Sequence, residues 1–339
     1  MANIAVSWVK ADPSFVEPQI VLKYVQASGA FDLLAGGEPR VKLGEGDLYA
    51  YIKYLDIRSA VQVGQTGTNS LPSASIVGEF YGTSSYLLQA RSEFDHHDES
   101  QMGRWGADIN SAQNLARRQG TFQQLRNGNL YGFNPANNEG LINQVGATTV
   151  TLPADSFGHT TSQTYDAGQM GGFYLQQILA AKTRMYQLGQ PARISICGPQ
   201  RILGQLAYNV VQLTSYQRED AGTASTLQLI NEVAGKANGD TIEWVYDDTL
   251  IGQGAGGTDM VIMTIPEVKK PRAANLNTNA FADLMPGMEA TVLQYMDMAA
   301  PRDITTPLPG GAIDILSELR ATSGWAIRPE AITLLSIPY

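Results

Sequence analysis

Two stretches of the 339-residue chain carry residue types that could do chemistry. The first is Asp95-His96-His97-Asp98-Glu99, where two imidazoles and three carboxylates invite a metal-dependent hydrolase reading. Neighbouring histidines on a helix point about 100° apart, so they do not readily chelate one ion. A two-histidine zinc site needs the i, i+4 spacing with a glutamate between them. His159, the third histidine, falls in a polar loop. The cluster therefore reads as a helix start whose acids sit on the positive end of the dipole, and no metal ligand is assigned. The second stretch, Gly252-Gln253-Gly254-Ala255-Gly256-Gly257, matches the letters of a dinucleotide fingerprint. That motif must open a helix so that its N-terminus faces the pyrophosphate. Here Asp259-Met260-Val261-Ile262-Met263 follows, which reads as a strand, so a hairpin turn is expected instead.

Other catalytic arrangements find little support. No serine stands in a G-x-S-x-G elbow. The acidic pairs Glu219-Asp220 and Asp247-Asp248 lie in loops. Cys197, the single cysteine, sits in Arg193-Ile194-Ser195-Ile196-Cys197, the pattern of a buried strand, and it excludes an intrachain disulfide. No catalytic residue and no cofactor is assigned.

The composition points the same way. Apolar residues make up 43%, enough for a real core, while charged residues are only 16%. Glycine and uncharged polar residues are abundant, which suits broad surfaces that meet other protein surface, where charge is costly to desolvate. The net charge of −9 shows no basic stripe of a dedicated nucleic-acid reader. No apolar run approaches the roughly 20 residues of a membrane span. The N-terminus lacks the order of a signal peptide, so a cytoplasmic, soluble product is expected.

The elements that would carry these residues are as follows. Residues 1–43 have weak periodicity and read as an arm. From 44 to about 90 the pattern is β, with Leu48–Ile57 as one strand and Ser75–Tyr81 and Ser85–Ala90 as others. Between them Gly64-Gln65-Thr66-Gly67-Thr68-Asn69-Ser70-Leu71-Pro72 is turn chemistry throughout. A projecting two-stranded hairpin is marginal alone, and its edges invite another chain. Next, Met102, Trp105, Ile109, Ala112 and Ala116 fall on one face of a helix, opposite Arg104, Asp108, Gln113, Arg117 and Arg118. Asp98 with Gln101 reads as a capping box. A helix from Asp98 to about Arg126 would be a strut on the order of 40 Å long, closing in a turn at Asn127-Gly128-Asn129.

The remainder reads as mixed α/β. A strand is expected over 147–152, then a polar loop over 153–168. A helix over 172–188 follows, with Leu175, Ile178, Leu179 and Met185 buried and Gly189 as its cap. Next come a strand ending at Cys197, a helix started by Pro199, and a loop with a short helix over 213–228. Strands over 241–246 and 260–265 are expected, with three near the end, over 290–298, 313–319 and 326–336.

Leu130-Tyr131-Gly132 followed by Glu139-Gly140-Leu141-Ile142-Asn143, and the closing Trp325-Ala326-Ile327-Arg328-Pro329-Glu330-Ala331-Ile332, resemble in order and spacing the Hong Kong 97-type major capsid protein of tailed bacteriophages. The resemblance covers nearly the whole chain. It implies an α+β fold with an N-arm (1–43) and an extended β-hairpin loop (44–90). It further implies a peripheral domain with a long spine helix (91–138 and 276–325) and an α/β axial domain (139–275 and 326–339). The implied role is self-assembly, as hexamers and pentamers, into an icosahedral shell enclosing double-stranded DNA. The DNA would be held on the inner face without sequence reading, in a virion assembled in a bacterial cytoplasm. Implied partners are a separate scaffolding protein, a portal and a decoration protein. Some relatives crosslink through a lysine near the loop tip, but residues 59–84 contain none, so non-covalent contacts are expected. Candidate contact residues are Gly64, Gln65, Thr66, Gly67, Thr68, Asn69 and Pro72 at the tip, with Arg58 and Arg91 at its base. An encapsulin-like nanocompartment shell is the alternative on the same fold.

Overall fold

The computed structural model describes residues 33, 41–58, 75–104, 108–185, 191–212, 223–267, 293–294, 296–297, 301–326 and 328–339. Most of the expected N-arm, the hairpin tip from Gly64 to Pro72, Trp105, Gly189 and residues 213–222 lie outside them.

In chain order the strands are β1 (Val41–Lys42), β2 (Tyr49–Arg58), β3 (Ser75–Phe94), β4 (Thr148–Thr151), β5 (Arg193–Gly198), β6 (Val210–Gln212), β7 (Thr223–Ser225), β8 (Thr241–Tyr246), β9 (Asp259–Thr264), β10 (Leu293–Gln294), β11 (Met296–Asp297), β12 (Arg302–Pro307), β13 (Ile313–Thr322), β14 (Trp325–Ala326) and β15 (Ile332–Ile337). The helices are α1 (His96–Arg104), α2 (Ile109–Tyr131), α3 (Ala167–Arg184), α4 (Gln200–Tyr208) and α5 (Thr226–Asn238).

Among the described residues two large sheets organise most of these elements, with β6-β7 and β10-β14 as separate two-stranded pairs. One runs β1-β11-β13-β3-β2, with β12 also paired to β13. The other runs β4-β15-β9-β5-β8 and is mixed: β15 is parallel to β4 and antiparallel to β9, and β5 is antiparallel to β9 and parallel to β8. Its central strands β9 and β15 are buried along their whole length. That is why Met260–Thr264 and Ile332–Ile337 show no alternation of polar and apolar residues, and their Thr264, Thr333 and Ser336 are buried as well. Because β5 lies between β8 and β9, the glycine-rich segment at 252–257 is a connection across the sheet and not the expected hairpin turn. Gly252, Gly256 and Gly257 take positive φ there.

The main core lies on this second sheet. Met170, Phe173, Tyr174, Ile178, Ala181 and Met185 of α3 and its cap face Ile202, Leu203 and Leu206 of α4 and Ile230 of α5. Leu179, expected inside, is exposed. Helix α3 starts at Ala167 under the Asp166 cap, and its buried stripe runs from Met170 through Phe173, Tyr174 and Ile178 to Ala181. Trp244 of β8 packs edge-on to Tyr174 at 6.0 Å and donates Nε1–H to Asn231 of α5 at 2.9 Å. Leu33 is fully buried in this core, and its carbonyl accepts from Thr264 Oγ1 at 3.4 Å. Cys197 is buried within β5.

The strut is placed differently from expectation. Asp95, not Asp98, opens the first helix, its Oδ1 accepting from the N–H groups of His97 (2.7 Å) and Asp98 (2.9 Å). The bonds from Asp98 and then His97 hold the Asp95 carboxyl below the usual carboxylate range. A second cap at Asp108, bonded to the N–H of Asn110 and Ser111, starts α2 anew. Helix α2 then spans 23 residues, about 34 Å, and continues through Asn127-Gly128-Asn129, where a turn was expected. The Phe133 ring packs flat on Gly128 and Asn129 is buried, so tertiary contact overrides local propensity.

The expected face holds only in part: Ile109 is buried with Phe94 and Ile315, and Met102 packs against them. Ala112 and Ala116 are exposed, whereas Arg117 is buried against the sheet. Its Nε donates to Ser317 Oγ of β13 at 3.0 Å, and its Nη1 donates to Ser92 Oγ of β3. Further along α2, Leu125 packs on Leu319 and Ala321 of β13, so the face on the sheet mixes apolar contacts with this arginine instead of showing one continuous apolar stripe.

Candidate functional site: an uncovered hairpin

Strand β3 is 20 residues long, about 65 Å, and changes partner midway. Ser75 to Ser84 pair with β2, from Arg58↔Ser75 to Tyr49↔Ser84. Ser85 to Phe94 pair with β13, from Thr322↔Ser85 to Ile313↔Phe94. The expected separate strand at Ser85–Ala90 is thus the continuation of the hairpin strand into the body. Among the described residues no third strand pairs with β2 or with the 75–84 half of β3. A two-stranded ribbon of this kind is marginal in water and leaves two edges unpaired.

One face of the ribbon is aromatic. In this register Tyr49 and Tyr51 of β2 share a face with Phe80, Gly82 and Ser84 of β3. The Tyr51 ring lies across Gly82, so close that a Cβ there would meet it at 2.8 Å. Tyr49 and Tyr51 have ring centroids 6.3 Å apart. They are 60% and 65% exposed, and Phe80 is 71% exposed. Beneath them opens a cleft of about 500 Å³, lined by Phe80, Gly82 and Ser84 on the hairpin and by Asn138, Val145 and Trp325 on the body. Contiguous aromatic surface at this exposure marks a contact face.

The hairpin joins the body at a tight crossing of three segments. Gly132 (φ +80) follows α2, and Gly140 (φ +89) opens the next turn. A Cβ on Gly140 would lie 2.3 Å from the Gly132 nitrogen, so both positions need a residue without one. The Gly140 N–H donates to the Gly324 carbonyl at 2.9 Å. Asn143 Nδ2 donates to the Tyr131 carbonyl (2.7 Å) and the Glu139 carbonyl (3.2 Å). The buried Glu139 carboxylate gathers the rest. Its Oε1 accepts from Tyr86 Oη at 2.8 Å, and its Oε2 accepts from Ser323 Oγ at 2.8 Å and the Asn134 N–H at 3.2 Å. Burial, followed by the bond to this carboxylate and its charge, pushes the Tyr86 phenol up to about 12. The motif Leu130-Tyr131-Gly132…Glu139–Asn143 is this crossing.

The remaining expected site residues fall apart from it. Arg58 ends β2, paired in register with Ser75. Arg91 stands opposite Leu316 in the sheet body, and its Nε donates to Asp314 Oδ1 at 2.8 Å, which raises its pKa. Its charge is therefore engaged within its own chain. His96 and His97 lie ring against ring at 3.9 Å, and among the described residues no group of three His, Cys, Asp or Glu side chains is placed to hold a metal. Tyr49, Tyr51 and Phe80 were legible as strand residues but not as a site. The signal was the alternation of Tyr49 and Tyr51 opposite Ser84 and Gly82, whose small or absent side chains do not cover them.

A hairpin ribbon, a long helix lying across its sheet and a mixed sheet flanked by helices together constitute the Hong Kong 97-type capsid fold. The chain is similar over 96% of its length to 96% of the protein in the capsid of Myoviridae phage XM1, with a TM-score of 0.68 at 11% identity. It is also similar to the capsid of a native GTA particle (TM-score 0.54, 10% identity, 97% of this chain and 96% of that one). The capsid structure of cyanophage P-SCSP1u gives a TM-score of 0.54 at 10% identity, over 96% of this chain and 92% of that one. No protein-family model and no curated protein matches the chain.

Proposed function

We propose that the chain is the major capsid protein of a tailed phage, whose copies build an icosahedral shell around double-stranded DNA. The observation that carries this is the aromatic hairpin face, which the chain's own described residues leave open and which a second copy would cover. The fold shared with capsids of phages and a GTA particle supports the same reading. In such a shell each chain meets several neighbours, so modest contacts combine into high avidity. Residues 44–90 would serve as the extended loop, 91–138 with 276–325 as the peripheral domain, and 139–275 with 326–339 as the axial domain. The role is structural rather than enzymatic. A scaffolding protein, a portal and a decoration protein are the partners of this reading, with DNA held on the inner face.

Deleting residues 64–72 tests it. The wild-type chain is expected to sediment as closed shells in negative-stain microscopy, and the deletion to stay soluble without completing stable shells. Normal particles from the deletion would contradict the role given to the hairpin. Nuclease-protected DNA inside particles from infected cells would distinguish a phage shell from a cargo compartment.

A further inference from the structure

We propose that a polar clamp gripping both faces of β3 at Ser85 and Tyr86 fixes the angle at which the hairpin leaves the body, and through that angle the diameter of the shell. The inference rests on the shell-forming reading above and adds which residues set its geometry.

The clamp sits where it has leverage. Strand β3 passes from β2 to β13 between Ser84 and Ser85 without a break. A ribbon held by one continuous strand would swing about that point, since two-stranded ribbons twist readily. Successive strand residues face opposite sides, so Ser85 and Tyr86 can be held from both.

On one face Arg320 of β13 acts. Its Nη1 donates to Ser85 Oγ at 3.0 Å and to the Asp47 carbonyl at 3.2 Å. Ser85 Oγ also donates to the Asp47 carbonyl, and the Ser85 N–H donates to the Leu48 carbonyl at 2.9 Å. Arg320 therefore ties the segment entering β2 to the body. On the other face Tyr86 reaches Glu139, whose second oxygen holds Ser323 and Asn134. The Tyr86 ring also packs on Phe133 at 5.2 Å. The hairpin root is thus fastened to β13 on one side and to the crossing after α2 on the other. Packing alone needs none of these directional bonds; they constrain an angle. Where the hairpin contact repeats through the shell, the angle between contact arm and body bears on the curvature.

Tyr86→Phe removes one side of the clamp and keeps the ring on Phe133. Spin labels at Val77→Cys on the hairpin and Asn127→Cys on α2, both exposed positions, read the angle in the unassembled chain. Broader distances in Tyr86→Phe than in the wild type are expected, with near-unchanged thermal unfolding. The share of particles at the wild-type diameter is expected to fall about fivefold, the factor that one hydrogen bond's net contribution sets. Tyr86→Phe combined with Arg320→Met is expected to broaden both distributions further. Unchanged label distances in both variants would overturn the clamp. Broadened distances with unchanged shell diameters would overturn its control of curvature. Should the wild-type chain make no shells, the shell reading falls, while the label distances still judge the clamp.

Discussion

Asp240→Ala is expected to destabilise the chain by about 3–5 kcal/mol, the cost of stranding a buried charge. Lys182 of α3 is fully buried, and its Nζ bonds both oxygens of Asp240, at 2.6 and 2.9 Å. Asp240 Oδ1 also accepts the Ala192 N–H at 2.9 Å, at the entry to β5. One carboxylate thus joins α3, the start of β5 and the start of β8, the elements around the main core. Removing it takes the carboxylate from the buried ammonium and the acceptor from the Ala192 amide. Lys182→Met together with Asp240→Ala should recover much of the loss, because two apolar side chains need no partner. Urea unfolding of the unassembled chains checks both: the single variant should lower the midpoint strongly, and the double variant should restore most of it.

The second large effect falls on assembly rather than folding. Tyr51→Thr with Phe80→Thr is expected to abolish shells while leaving the unfolding midpoint of the free chain nearly unchanged. Both side chains are exposed in the single chain, so it loses little by their removal, and threonine keeps strand propensity. Covering such a side chain in an interface contributes about 1.5–3 kcal/mol. Losing two at every contact weakens each association by about 10²–10⁴-fold. Light scattering at matched concentration should show wild-type particles and only small species for the variant.

Much of this architecture was legible in the chain. Strand β5, read as ending one residue early at Cys197, helix α4 starting after Pro199, and the hairpin's β pattern each follow from local chemistry: apolar runs, a fixed φ, and turn residues. The crossing motif was legible as an ordered string of residues, though not as a knot of backbone packed on backbone. What stayed hidden depends on distant partners. Arg117 reads as a solvated residue until Ser92 and Ser317 are placed under it. Asn127-Gly128-Asn129 reads as a turn until Phe133 folds back on Gly128. The continuation of β3 past Ser84 depends on β13, more than 200 positions later in the chain. The aromatic face was hidden for a further reason. Sequence alternation shows that one side of a ribbon is apolar, but not that the described residues provide nothing to cover it.

Hydroxyl-radical footprinting of Tyr49, Tyr51 and Phe80, in the free chain and in the size-separated particle fraction, tests that uncovered face most directly. The account predicts strong oxidation of all three in the free chain and clear protection in particles. Equal oxidation in both fractions would mean that no neighbouring copy covers the hairpin, and would contradict it.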